Sequence, residues 1–261
     1  MRRWVVGLLL LASAARGQAV PTVRSLGPQP PRNILYVGNS LFYWNNGLSS
    51  MVWELLQTAF PGGDYESRLV AISGAALSWH DLEVYLRPGA MQGFSIQEGG
   101  HLVFQKSRPF DAVVMSDCSQ CPIHPQLRAQ FHQVARKDAE IAVRRGAKPV
   151  LFMTWAYRHR PEMTHQLAEE YTLAGNETGS LVIPAGLAFA ASVAANPSIE
   201  LYDPDGRHPS PAGTYLAACT VLAAVYGKSP VDNPYRASLD AKTALALQRT
   251  AAETVQKFLG R

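Results

Sequence analysis

The sequence predicts an α/β protein, a three-layer α/β/α sandwich with a parallel five-stranded sheet between two layers of helices. Three observations predict it. Short runs rich in Val, Ile and Leu alternate with longer amphipathic stretches, and each run is bounded by Gly, Pro or Asp. Most of the runs are also apolar at nearly every position, not only at every second one, as expected of parallel strands buried on both faces. Such strands are joined by right-handed crossovers, so helices must fill the gaps between them.

In chain order, strands are expected at 34–37, 67–72, 112–115, 149–154 and 181–184. Helices are expected at 48–59, 79–86, 125–145 (closed by Gly146), 161–175 and 186–195, with two more at 211–226, opened by Pro211, and 238–259. The longest irregular stretch is expected at 88–109. No internal repeat or low-complexity tract interrupts the alternation.

A chain of 261 residues, 47% hydrophobic, can bury one large core and leaves little room for a second. Its start has a different character. Met1-Arg2-Arg3 is positively charged, the run from Trp4 to Ala15 is almost wholly apolar, and small residues follow at Ala14, Ala15 and Gly17. This predicts a secretory signal peptide over 1–17, a Pro-rich segment over 18–31 and one folded domain over 32–261, and hence a secreted or periplasmic protein. The apolar run is well short of the roughly 20 residues that span a bilayer, so no stable membrane insertion is expected after cleavage.

The formal charge of +4 is scattered, with no run of Lys or Arg longer than a pair, and so does not indicate a nucleic-acid partner. Arg158-His159-Arg160 is the densest basic patch and reads as a solvated face. Three cysteines are too few for a disulfide scaffold, and only Cys118 and Cys121 lie close together. In an oxidising compartment a local disulfide is the leading reading of that pair, with free thiols next. As zinc ligands with His124 and His132 the pair gives a weak pattern, since no second C-x-x-C exists; no metal is expected. Asn176-Glu177-Thr178 fits a glycosylation sequon, relevant only in a source that glycosylates.

Two stretches carry chemistry. "ILYVGNSL", residues 34–41, is an apolar strand ending on Gly38-Asn39-Ser40. In an open parallel sheet the carboxyl ends of strands are where ligands bind, so Ser40 can present its hydroxyl there. Alone, Asn39 or Ser40 reads as an ordinary helix cap. The second stretch, "DPDGRHPSP" at 203–211, supplies what a serine nucleophile needs: a histidine to take its proton and a carboxylate to orient the histidine. Asp205 lies three positions before His208; Asp203 is a competing orienter.

These blocks resemble the SGNH (GDSL-like) hydrolase family, in the exported bacterial branch whose first block reads Gly-Asn-Ser. The likeness covers about 32–228 and is reinforced by "LFMTWAY", "PAGLAF" and "HPSPAGTYLAA". It implies a flavodoxin-like sheet, no cofactor, and hydrolysis of acyl esters. By it Ser40 is the nucleophile, His208 the general base and acid, and Asp205 its partner. The Ser40 N–H and Gly74, in "AISGAAL", then supply oxyanion donors. Where the family places an Asn or Gln after the third strand, this chain reads Ser116-Asp117-Cys118-Ser119-Gln120. The side-chain donor is therefore Ser116, a displaced Gln120, Asn39, or absent, with Ser116 first on position. Asp117 is expected to point away or pair with a basic group.

Asn39, Trp79, Trp155 and Tyr157 are candidates to hold substrate, the three aromatics being equally readable as core. His80, His101, His159 and His165 have no partner at a telling spacing. The expected activity is an exported esterase acting on acetyl or other short-chain esters, small-molecule or carbohydrate. The alternatives are acyl transfer and a non-catalytic carbohydrate- or ligand-binding protein on the same scaffold.

Overall fold

The computed structural model describes residues 19–91, 93–104 and 108–261. The expected signal peptide lies outside them. Among the described residues seven strands run in chain order: β1 Asn33–Gly38, β2 Glu66–Ala71, β3 Phe94–Ile96, β4 Leu102–Phe104, β5 Ala112–Met115, β6 Lys148–Phe152 and β7 Leu181–Ile183. Five form one parallel sheet in the order β2-β1-β5-β6-β7, the flavodoxin-like order; β3 and β4 make a separate antiparallel hairpin. That hairpin lies where an irregular stretch was expected.

Alternate residues of each central strand face opposite layers, which explains why the strands are apolar throughout. Ile34, Tyr36, Ala112, Val114, Val150 and Phe152 enter one core, together with α2 (Leu48–Ala59), α6 (Ala185–Ala195), α7 (Pro211–Tyr226) and α8 (Ala241–Leu259). Leu35, Val37, Val113, Met115 and Leu151 enter the other, under α4 (Arg128–Arg144) and α5 (Met163–Thr178). Helix α7 is buried at every position from Ala212 to Val225, because α8 covers the side turned away from the sheet. Its all-round apolar sequence follows from that double cover.

The expected helix at 79–86 is broken. A 3₁₀ turn at Leu77–Trp79 gives way to the short α3, Leu82–Tyr85, which restarts where the Asp81 carboxylate accepts the Val84 N–H at 3.1 Å. The break leaves His80 between the two pieces, pointing inward at 5% exposure.

The segment before β1 is pinned to the domain. Asn176, on α5, accepts from the Thr22 N–H at 2.8 Å and donates to the Val20 carbonyl at 2.9 Å. Its amide is thus engaged by the chain itself, which disfavours the sequon reading. Among the described residues no helix is long and apolar enough to cross a membrane.

Candidate active site

Strand order reverses at β1, which has β2 on one side and β5 on the other, so the crevice at its carboxyl end receives three loops. Asn39, extended at φ −132°, caps the four-residue helix α1 (Ser40–Tyr43), its Oδ1 accepting from the Leu41 N–H at 3.2 Å. Its Nδ2 donates to the carbonyls of Ala75 and Asp117, both at 3.1 Å. One amide therefore ties the loops after β2 and β5 to the residue before Ser40. The Gly38 carbonyl is held twice, by the Ile72 N–H at 3.1 Å and by His80 Nε2 at 2.9 Å. Burial, partly opposed by that hydrogen bond, pushes the His80 imidazole below its ordinary pKa and favours its neutral form.

The loop between Tyr202 and Pro209 is closed at its base by an isolated antiparallel bridge and by the Asp203 N–H to the His208 carbonyl at 2.9 Å. At φ +67° Gly206 takes the left-handed conformation that its turn needs. Helix α7 starts directly beneath: a Cβ on Gly213 would lie 2.2 Å from the Leu201 carbonyl oxygen, so glycine permits the close approach. Ser210 caps α7 by accepting from the Gly213 N–H at 3.1 Å.

This frame brings Asp205, His208 and Ser40 into line. Asp205 Oδ2 meets His208 Nδ1 at 2.5 Å, and His208 Nε2 meets Ser40 Oγ at 2.9 Å. The second Asp205 oxygen accepts the backbone N–H groups of Arg207 at 2.8 Å and His208 at 2.9 Å. Partial burial pushes the Asp205 carboxyl up, but His208 and the two N–H groups outweigh it and hold the pKa down at about 2. The Asp205 carboxylate thus stays ionised at any ordinary pH.

Asp203 does not reach the imidazole. Its Oδ2 accepts from Trp44 Nε1 at 2.5 Å, and the Trp44 ring stacks on His208, with centroids 3.9 Å apart and planes 16° from parallel. The next residue, Asn45, donates to the Pro209 carbonyl at 2.6 Å and to Thr214 Oγ1 at 2.9 Å. Neither Trp44 nor Asn45 was singled out from sequence. The available signal was "WNNG", a turn motif four residues after Ser40, whose two asparagines adopt positive φ.

For an oxyanion, the Ser40 and Gly74 N–H groups are available: no acceptor takes either among the described residues. Gly74 is exposed, with φ +69°, in a turn closed by the Ala75 N–H to the Ile72 carbonyl at 3.1 Å. Ser116 does not fit the side-chain role expected of it. It is 1% exposed, and its hydroxyl turns back to the Asp117 carbonyl at 3.3 Å. Asn39 is not such a donor either, nor a substrate contact, since both its N–H groups are spent on backbone. Asp117 is buried and has no basic partner among the described residues; it accepts from the Leu77 N–H at 2.8 Å and the Cys118 N–H at 2.7 Å. Burial pushes its carboxyl up, against the pull of those two donors.

Cys118 and Cys121 are joined in a disulfide, with Cα atoms 5.2 Å apart, and Cys219 is a buried free thiol. Among the described residues the one group that could gather metal ligands is Asp117, Cys118 and Cys121, and its sulfurs are bonded to each other. Trp155 is not a substrate contact. It is core, stacked on Phe189 at 4.1 Å, and its Nε1 supports the histidine loop through the Arg207 carbonyl at 2.9 Å. The Tyr157 ring is covered by the Arg207 guanidinium at 4.9 Å. Trp79, 64% exposed beyond the Gly74 turn, is the most exposed of these three aromatics.

No protein-family profile matches the sequence, and no curated protein matches it. Among solved structures, the chain is similar to a protein from Slackia heliotrinireducens assigned to the SGNH hydrolases, with 29% identity, TM-score 0.54 and coverage of 74% of this chain and 97% of that one. By fold, the chain belongs with the SGNH hydrolases. A DUF4886 family protein from Bacteroides uniformis is similar in fold to this chain at 17% identity and TM-score 0.57, over 85% of this chain and 94% of the other. The acetylxylan esterase Axe2 from Geobacillus stearothermophilus shares the fold at 17% identity and TM-score 0.51, over 74% and 94%. Esterases thus stand among the structural neighbours of this chain.

Proposed function

We propose that the protein is an exported serine ester hydrolase acting on short acyl esters, acetyl groups foremost, on small molecules or carbohydrates. The single observation that carries the reading is the unbroken relay Asp205–His208–Ser40, at 2.5 and 2.9 Å. His208 Nε2 takes the Ser40 proton as Oγ attacks the ester carbonyl. The oxyanion that forms lies against the N–H groups of Ser40 and Gly74. The imidazolium then protonates the leaving alkoxide, and an acyl-serine remains. Water, deprotonated by the same nitrogen, attacks the acyl carbon; Ser40 leaves with the proton from His208, and a carboxylic acid is released.

Trp79, exposed a few residues beyond the Gly74 turn, suits a ring face of substrate, which supports an ester carried on a sugar or other cyclic molecule. The test is hydrolysis of p-nitrophenyl acetate without added metal, with labelling of Ser40 by a fluorophosphonate. Labelling and turnover that survive Ser40→Ala would overturn the reading.

A further inference from the structure

We propose that Trp44, anchored by Asp203, is a positioning residue that holds the His208 ring in the relay and favours its protonated form during turnover. The inference rests on the serine-hydrolase reading of the site and goes beyond it. An imidazole hydrogen-bonded at both nitrogens can still tilt about the line joining them. A ring stacked face to face at 3.9 Å and 16° removes that freedom.

The indole is itself fixed. Its N–H donates to Asp203, and its neighbour Asn45 is tied to the Pro209 carbonyl and Thr214, just past His208. The segment after α1 therefore holds the histidine loop at points before and after His208 in the chain. The chain also places two non-glycine residues, Asn45 at φ 51° and Asn46 at φ 66°, in the costly left-handed region to make this reach.

The electrostatic part follows from the indole face. It carries negative quadrupolar charge and attracts a cation lying over it, so the imidazolium formed during attack is favoured over the neutral ring. A carboxylate accepting the indole N–H reinforces that sign. The charged and titratable groups around His208 are Asp205 on its Nδ1 and Asp203 behind Trp44. Arg207 lies over Tyr157, Arg158 pairs with Glu200 at the base of the loop, and His159 approaches Gly206. Of these, only Asp205 and the Trp44–Asp203 unit touch the ring.

The experiment compares wild type with Trp44→Leu, Trp44→Phe and Asp203→Asn, reading kcat, KM and the pH profile of kcat/KM on p-nitrophenyl acetate. Trp44→Leu is expected to lower kcat roughly 10- to 100-fold with KM within about twofold. The acid limb should move about half a unit to one unit lower, because the imidazolium loses its partner. Trp44→Phe, which keeps a stacking face, should recover most of both. Asp203→Asn should show a smaller loss of the same kind, and it serves in place of Trp44→Leu if circular dichroism shows that variant unfolded. If Trp44→Leu, or Asp203→Asn in its place, keeps wild-type kcat and limb, the inference is wrong.

A wild type without esterase activity would defeat the proposed function but not yet this inference. For that case, ¹⁵N NMR titration of the His208 imidazole is compared between wild type and Trp44→Leu. A lower titration midpoint in the variant supports the stack's role, and coincident titrations overturn it.

Discussion

The Asn39 side chain donates to the Asp117 backbone carbonyl at 3.1 Å, and so joins the cap of the helix that Ser40 opens to the loop that follows β5. That loop continues into the Cys118–Cys121 ring, whose backbone closes on itself through the Cys121 N–H to the Cys118 carbonyl at 3.2 Å. Whatever loosens the ring acts on Asn39 through a single hydrogen bond.

The first prediction follows from this link. A ring spanning three positions removes little chain entropy, less than the roughly 3 kcal/mol estimated for a 15-residue loop. Cys118→Ser with Cys121→Ser should therefore lower kcat several-fold while moving the melting temperature by only a few degrees. An unchanged kcat would show that the ring has no part in shaping the site.

A second prediction concerns pH. Asp205 is held ionised at a pKa of about 2, so it adds no limb of its own above pH 4. The rise of kcat/KM with pH should then follow one ionisation, that of His208, which must be neutral to accept the serine proton. Asp205→Asn should lower kcat by about 10³- to 10⁴-fold, as expected when the orienting carboxylate of a triad is lost. A wild-type profile with two acid limbs between pH 4 and 8 would contradict the assignment.

Much of this site could be read from the sequence because its parts obey local rules. Apolar runs marked the five parallel strands, and the carboxyl end of the first marked Ser40. Asp205 and His208 lie three apart in one loop, so a short motif carried both. What could not be read depends on partners distant in sequence. Trp44 meets Asp203 across 159 positions, His80 meets Gly38 across 42, and Asn39 spends its amide on Ala75 and Asp117. Nothing local to these residues distinguishes an aromatic that stacks on a histidine from one that fills a core. Ser116 was placed correctly along the chain, but its hydroxyl turns to its own backbone, a rotamer choice that no spacing encodes.

The third prediction tests that correction. With Ser116 and Asn39 committed elsewhere, the half-buried Gln120 is the remaining candidate, among those the sequence offers, for a side-chain donor on the loop after β5. Gln120→Ala is expected to lower kcat about tenfold or more with little change in KM, within the range for loss of one oxyanion donor. Ser116→Ala should stay within about threefold of wild type. The reverse ranking would return Ser116 to the oxyanion hole.

The last prediction lies away from the site, at Asp138 on α4. This residue is 1% exposed, and among the described residues neither carboxylate oxygen has a hydrogen-bond partner. Burial pushes its carboxyl up to about 7, with Lys137 pulling it down and Asp81 adding to the rise. In the unfolded chain the same group titrates near 3.9, so between about pH 4 and 7 the folded state binds the extra proton. The sign follows directly: this group's favourable contribution is fully present below pH 4 and is lost as pH rises through 7. Asn matches the protonated carboxyl in shape and carries no charge at any pH. Asp138→Asn should therefore leave the melting temperature nearly unchanged at pH 4.5 and raise it by several degrees at pH 8, given that about 1 kcal/mol moves a domain of this size by roughly 2–4 °C. Thermal melts of both proteins across that range decide it: equal gains at both ends, or none at pH 8, would mean that Asp138 carries no buried charge at neutral pH.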